Sequence, residues 1–130
     1  MTPSAAGFAT ASATEIAASI AVGDTTARAV IDATLARINA LNSRVNAFTD
    51  ILDARARAQA DAIDRARRDG ALQGPLAGVP FAVKNLIDVA GIPTRAGSKI
   101  NRDRQAALRD ATLVRRLEAA GAVLVGWNGR

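Results

Sequence analysis

Hydrophobic and polar positions along the chain fall first into helical periods and later into short apolar runs. The segment Ser12-Ala-Thr-Glu15 has capping-box spacing ahead of Ile16, Ala17 and Ile20, and Gly23 supplies a stop, so a short helix is predicted. A second helix is expected to start between Asp24 and Thr26. Its apolar residues Val30, Ile31, Leu35, Ile38 and Leu41 recur at helical spacing and fade at Asn42 and Ser43. Val45 to Phe48 is short and partly alternating and reads as a strand. A third helix is predicted from about Leu52 to Arg68, along the line Leu52, Ala56, Ala60, Ile63 and Ala66, with Gly70 ending it.

The pattern then changes. Gly70, Gly74, Pro75, Gly78, Pro80, Gly91, Pro93 and Gly97 break up any helix, and Phe81–Val83 stands among them as a short strand that delivers Lys84. A last helix is expected with Asp110 as its cap and Leu113, Val114 and Leu117 along one face. It stops at Gly121, and Ala122–Val125 follows as a buried strand. Strand–helix–strand alternation at the end predicts the α/β class: amino-terminal helices followed by part of a mixed or parallel sheet. One partial domain is expected over 1–130, with a helical part at about 12–69 and a sheet part at about 74–126. No internal repeat or low-complexity segment interrupts it.

Composition narrows the chemistry. Hydrophobic residues make up 49% of the chain and aromatics only 3%, so the core must rest on Ala, Val, Ile and Leu. The net charge is +5, and all basic residues except Lys84 and Lys99 are arginines. A basic chain invites a nucleic-acid reading. Here, however, the arginines are interleaved with aspartates along the helical stretches, as in Asp61, Asp64, Arg65, Arg67, Arg68 and Asp69, the pattern of a solvated helix face with i,i+4 pairs. The scarcity of aromatics for base stacking also weighs against nucleic acid. Cysteine and histidine are both absent, which excludes disulfides, Ser-His-Asp and Cys-His triads, and zinc sites of the Cys/His kind. Acid–base work must fall to Lys, Asp, Glu or Ser. No metal or cofactor motif is present. No apolar run is long enough to span a bilayer and no leader is evident, so a cytoplasmic protein with no membrane partner is the expectation.

The informative segment is Gly74-Pro-Leu-Ala-Gly78-Val-Pro80-Phe-Ala-Val-Lys84-Asn-Leu-Ile-Asp88. It places a lone lysine after the uncharged run Val79–Val83. Partial desolvation there would lower the lysine's pKa toward neutrality, and a neutral amine can act as a general base. The plainer alternative is a lysine that reaches solvent at a strand end.

The stretch Gly78-Val-Pro80-Phe-Ala-Val-Lys84 resembles the conserved-lysine motif of the amidase-signature family. Further matches follow in order: Thr94 to Ser98 with the family's turn, Asp110 to Val114 and Leu117 to Gly126 with its next helix and strand, and Ala36 to Asn42 and Val45 to Phe48 with its first helices. The similarity covers roughly residues 12 to 126. It implies amide C–N hydrolysis by a Ser–cisSer–Lys triad acting on a small amide substrate. A neutral lysine takes a proton through the second serine, and the nucleophilic serine forms an acyl-enzyme. Only Lys84 has a counterpart here, as the catalytic base. Within the family, the run from Lys84 to Asn101 looks most like biuret and carboxybiuret hydrolases, with the A subunit of tRNA amidotransferases a related match.

Two departures stand out. None of Ser4, Ser12, Ser19, Ser43 or Ser98 lies in a Gly-Ser-Ser-Gly context, and Gly126-Trp-Asn-Gly-Arg130 leaves the family pattern. The expectation is an interrupted amidase, inactive alone. Asn85 also stands where many members carry Asp, which removes a charge. Two other classes compete. One is a small interaction module that associates with a separately encoded remainder or with itself, and the other, resting on charge alone, is a nucleic-acid binder. With a strand so near the end of the sequence, the sheet is expected to keep an unpaired edge and the isolated chain to be poorly soluble.

Overall fold

The computed structural model describes residues 7–71, 73–94 and 105–129. After a 3₁₀ turn at Gly7–Ala9, the elements run α1 Ala13–Ala21, α2 Ala27–Val45, β1 Phe48–Ile51, α3 Asp53–Arg68, β2 Pro80–Lys84, α4 Thr112–Ala119 and β3 Val123–Asn128. This is the α/β order that the periodicities predict.

The first two helices start where their caps dictate. Ser12 accepts from the Glu15 N–H while the Glu15 carboxylate accepts from the Ser12 N–H, a complete capping box. Thr26 caps α2 through the Ala29 N–H. That helix runs past Asn42 and Ser43 to Val45 and ends on Asn46, held in the left-handed region at φ 49°. The strand expected over Val45–Phe48 therefore begins only at Phe48. The last helix also differs from expectation. Ala111 is its N-cap residue and no side chain caps it, because the Asp110 carboxylate is engaged elsewhere.

The sheet has the order β1-β3-β2, with β3 antiparallel to β1 and parallel to β2. The sheet is therefore mixed. The last strand lies at its centre, and the edges are β1 and β2. Helices α1, α2 and α3 cover one face around Ile20, Val30, Ile31, Leu35, Val123 and Val125. On the other face Val83, Val89, Val114, Leu124 and Trp127 form a second cluster with α4. β3 is thus apolar on both sides, as a central strand between two layers must be. Opposite the step Phe81–Ala82 of β2, β3 carries one extra residue between Leu124 and Gly126. This bulge reverses the alternation, which puts Trp127 on the face of Leu124.

The charges of α3 reach across to other helices rather than along their own. Asp61 pairs with Arg28 at 2.7 Å, and Arg57 pairs with Asp32 at 3.0 Å. The Asp64 carboxylate accepts from the Ala27 and Arg28 N–H groups at 2.8 and 2.9 Å, at the first turn of α2. Among the described residues, i,i+4 pairing is confined to Arg28–Asp32 and a long 3.9 Å contact from Arg57 to Asp53. No helix among the described residues is long and apolar enough to cross a membrane.

Candidate active site

Lys84 stands at the carboxyl end of β2, opposite Asn128 of β3. Its position is set by backbone contacts far from it. The Leu76 N–H donates to Ala120 O at 2.8 Å, the Gly78 N–H to Gly121 O at 2.9 Å, and the Val123 N–H to Val79 O at 2.8 Å. These bonds start the parallel pairing of β2 with β3. They require glycine at two points. Gly78 sits at φ +84°, where a Cβ would lie 2.4 Å from Ile20 Cδ1. Gly121 sits at φ +98°, where a Cβ would lie 2.6 Å from Ala77 Cα.

Beyond the strand the chain turns at once. The Ile87 N–H donates to Lys84 O at 3.0 Å, and the Asn85 N–H donates to Asn128 O at 2.8 Å. Trp127, fully buried, locks this turn from behind, its indole N–H donating to Ile87 O at 3.1 Å. The sequence shows Trp127 only as a solitary Trp beside a buried strand. Its role as the anchor of the lysine turn depends on the bulge in β3 and is invisible without the pairing.

The Lys84 side chain is exposed, not partly desolvated as the apolar run before it suggests. The reason is geometric: Val83 takes the buried side of the strand end, and nothing described covers the other. No acidic side chain pairs with Lys84 among the described residues. Nor does any described serine reach it. Ser12 caps α1, Ser19 lies within α1, and Ser43 lies in the last turns of α2. Ser4, Ser98, Lys99 and the turn from Arg95 to Ser98 fall outside the described residues.

Around the lysine the sheet end is rich in acceptors without donors. Asn85 is 3% exposed, yet its Oδ1 meets no donor among the described residues, and the same holds for Asn128 Oδ1 and Asp50 Oδ2. Leu86, next in the turn, is 52% exposed.

Behind the site, Arg55 of α3 donates to Asp110 at 2.9 Å and to Glu118 at 2.8 Å, tying α3 to α4. Asp110 also accepts from the Ala90 N–H at 2.9 Å, which fixes the loop after the lysine turn. Burial opposes ionisation of Asp110, but the hydrogen bonds from Arg55 and Ala90 outweigh it and hold the carboxyl below its ordinary value.

Comparison with known proteins bears on the family and the fold. The family model described as Amidase matches residues 29–127. The chain is 55% identical over 112 residues to AtzE, a subunit of the 1-carboxybiuret hydrolase of Pseudomonas sp. strain ADP, covering 86% of this chain and 24% of that protein. It is 47% identical over 114 residues to the A subunit of the glutamyl-tRNA(Gln) amidotransferase of Streptomyces coelicolor, covering 88% and 23%. The native peptide amidase of Stenotrophomonas maltophilia superposes with a TM-score of 0.84 at 35% identity, covering 93% of this chain and 25% of that one. The chain thus spans about a quarter of the length of these relatives. With the lysine motif inside the matched stretch and the same fold around it, the chain belongs to the amidase-signature family.

Proposed function

We propose that this chain supplies the general base, Lys84, of an amide-hydrolysing site whose two serines come from residues outside this sequence. The observation that carries the reading is the placement of Lys84. It stands at an open strand tip inside the family stretch, its turn fixed from behind by Trp127. In the completed site a covering segment would desolvate the amine and favour its neutral form. The amine would take the proton of the nucleophilic serine by way of the second serine. The serine oxygen would attack the amide carbon, the C–N bond would break with the proton passed to the leaving nitrogen, and water would then cleave the acyl-enzyme. The substrate class is a small amide, and the likeness to a carboxybiuret hydrolase component favours short urea-like amides. The 130 residues alone are expected to hydrolyse none.

The test is a fusion of this chain to the remaining part of the AtzE-type relative, with amide turnover measured for the fusion, for the 130 residues alone, and for the fusion carrying K84M. The fusion should turn over and the isolated chain should not. K84M should lower kcat of the fusion by about 10²–10⁴-fold and leave the melting temperature of the isolated chain unchanged, since the side chain is exposed there. Serine-dependent turnover by the isolated chain, or full activity of the K84M fusion, would remove the proposal.

A further inference from the structure

We infer that the buried side-chain carbonyl of Asn85 is a docking acceptor for the segment that completes the site. This rests on the reading above that residues outside this sequence cover Lys84. It adds a named contact to that reading.

A buried acceptor without a donor costs roughly 1–3 kcal/mol, and native interiors hold few of them. Asn85 is 3% exposed, and its Oδ1 has no donor among the described residues. Its main chain is fixed, because its N–H donates to Asn128 O at 2.8 Å. Asn128, paired with Lys84 across the two strands, has a buried Oδ1 in the same condition. The two orphan carbonyls therefore mark the ends of adjacent parallel strands, one residue from the proposed base.

The surroundings point to protein as the occupant. Leu86 beside the acceptor is 52% exposed, and the outer edge of β2 has no strand partner among the described residues. The relatives carry about three quarters of their length beyond what this chain matches. A backbone N–H or a hydroxyl arriving from that remainder would satisfy Asn85 Oδ1. An apolar residue of the same segment would cover Leu86.

The inference predicts a reversal of sign between two contexts. In the isolated 130-residue chain, N85L removes an orphan acceptor and should leave the melting temperature unchanged or raised. In the fusion, N85L removes a satisfied acceptor and should lower the melting temperature by at least about 3 °C. N85D keeps acceptor oxygens. It should melt below N85L in the isolated chain, where it buries a charge, and above N85L in the fusion. A trapped water bonded to Asn85 instead of a docking segment would make N85L shift both contexts in the same direction, which would overturn the inference. If the isolated chain shows no cooperative transition, the fusion decides alone: N85L melting at or above the unsubstituted fusion overturns it. A K84M fusion that keeps full turnover would sink the base assignment while leaving these melting shifts intact, so the two failures are separable.

Discussion

The helical layer and the strand tips of this domain treat their polar groups in opposite ways. At the start of α2 every free donor of the first turn is met: Ala27 and Arg28 by Asp64, Ala29 by Thr26 Oγ1, and Val30 by the Thr26 carbonyl. The cations Arg28 and Arg57 close on Asp32 and Asp61 between α2 and α3. At the carboxyl end of the sheet, Asn85, Asn128 and Asp50 keep acceptors without donors, and Lys84 and Leu86 face solvent. The first region meets its helix-start donors and pairs its charges, and its one orphan among the described residues is the buried Thr25 Oγ1 just before α2. The second leaves its acceptors without donors among the described residues. On the proposed function, chemistry would sit at the strand tips, held steady by the helical layer.

The largest test of that contrast is Trp127, a buried residue that anchors the open end from within. W127A empties a fully buried site and removes the bond to Ile87 O. It should cost about 3–5 kcal/mol, read as a drop in unfolding free energy in urea. W127F keeps most of the volume and loses the N–H, so it should lose less stability yet loosen the lysine turn. Faster hydrogen exchange at the Ile87 amide, whose N–H donates to Lys84 O, would report that loosening. Equal exchange in W127F and the unsubstituted chain would mean that packing alone holds the turn.

The next test is the link between α3 and α4. R55M strips Asp110 of its cation and leaves Glu118 without a partner in a half-buried setting. It should cost about 1–3 kcal/mol at neutral pH. The pH dependence follows from the sign of the Asp110 shift. Its folded pKa is depressed, so the unfolded chain takes up the proton first as pH falls. The stabilisation is complete above the unfolded value of about 3.9 and is lost as pH drops through the lower folded value. The unsubstituted chain should therefore lose stability below about pH 4 more steeply than R55M. Parallel acid limbs in the two proteins would show that Asp110 is held by something other than Arg55.

The same two regions divide what the sequence could tell. The helices of the first part follow from local signals, because a capping box and a 3.6-residue period act within one turn of the residues that carry them. Lys84 at a strand tip was legible for a similar reason: a short apolar run between glycines and prolines has few other ways to fold. What escaped depends on distant partners. Val45 extends a helix rather than opening a strand, because β1 is defined by its pairing with Gly126–Asn128. Asp110 has the position of a cap, yet Arg55, far back in the chain, claims its carboxylate. The exposure of Lys84 and the burial of Asn85 follow from which side of β2 is covered, and no local pattern encodes that.

The smallest test lies inside the helical layer. Asp64 belongs to α3, but its two carboxylate oxygens each take one N–H from the first turn of α2. A local cap is already present in Thr26, so Asp64 adds a second cap from across the interface. D64A leaves two N–H groups without that partner. Because the site is only partly buried, water can reach them, and the expected loss is about 1 kcal/mol, read as a lower melting temperature of the full chain. D64N retains one acceptor and the shape, and it should lose less. T26A removes a neighbouring bond at the same helix end, so the double substitution T26A/D64A should cost more than the sum of the single ones. Strict additivity would mean that the two caps act independently, and the helical layer would then be a sum of local devices rather than a unit closed on itself.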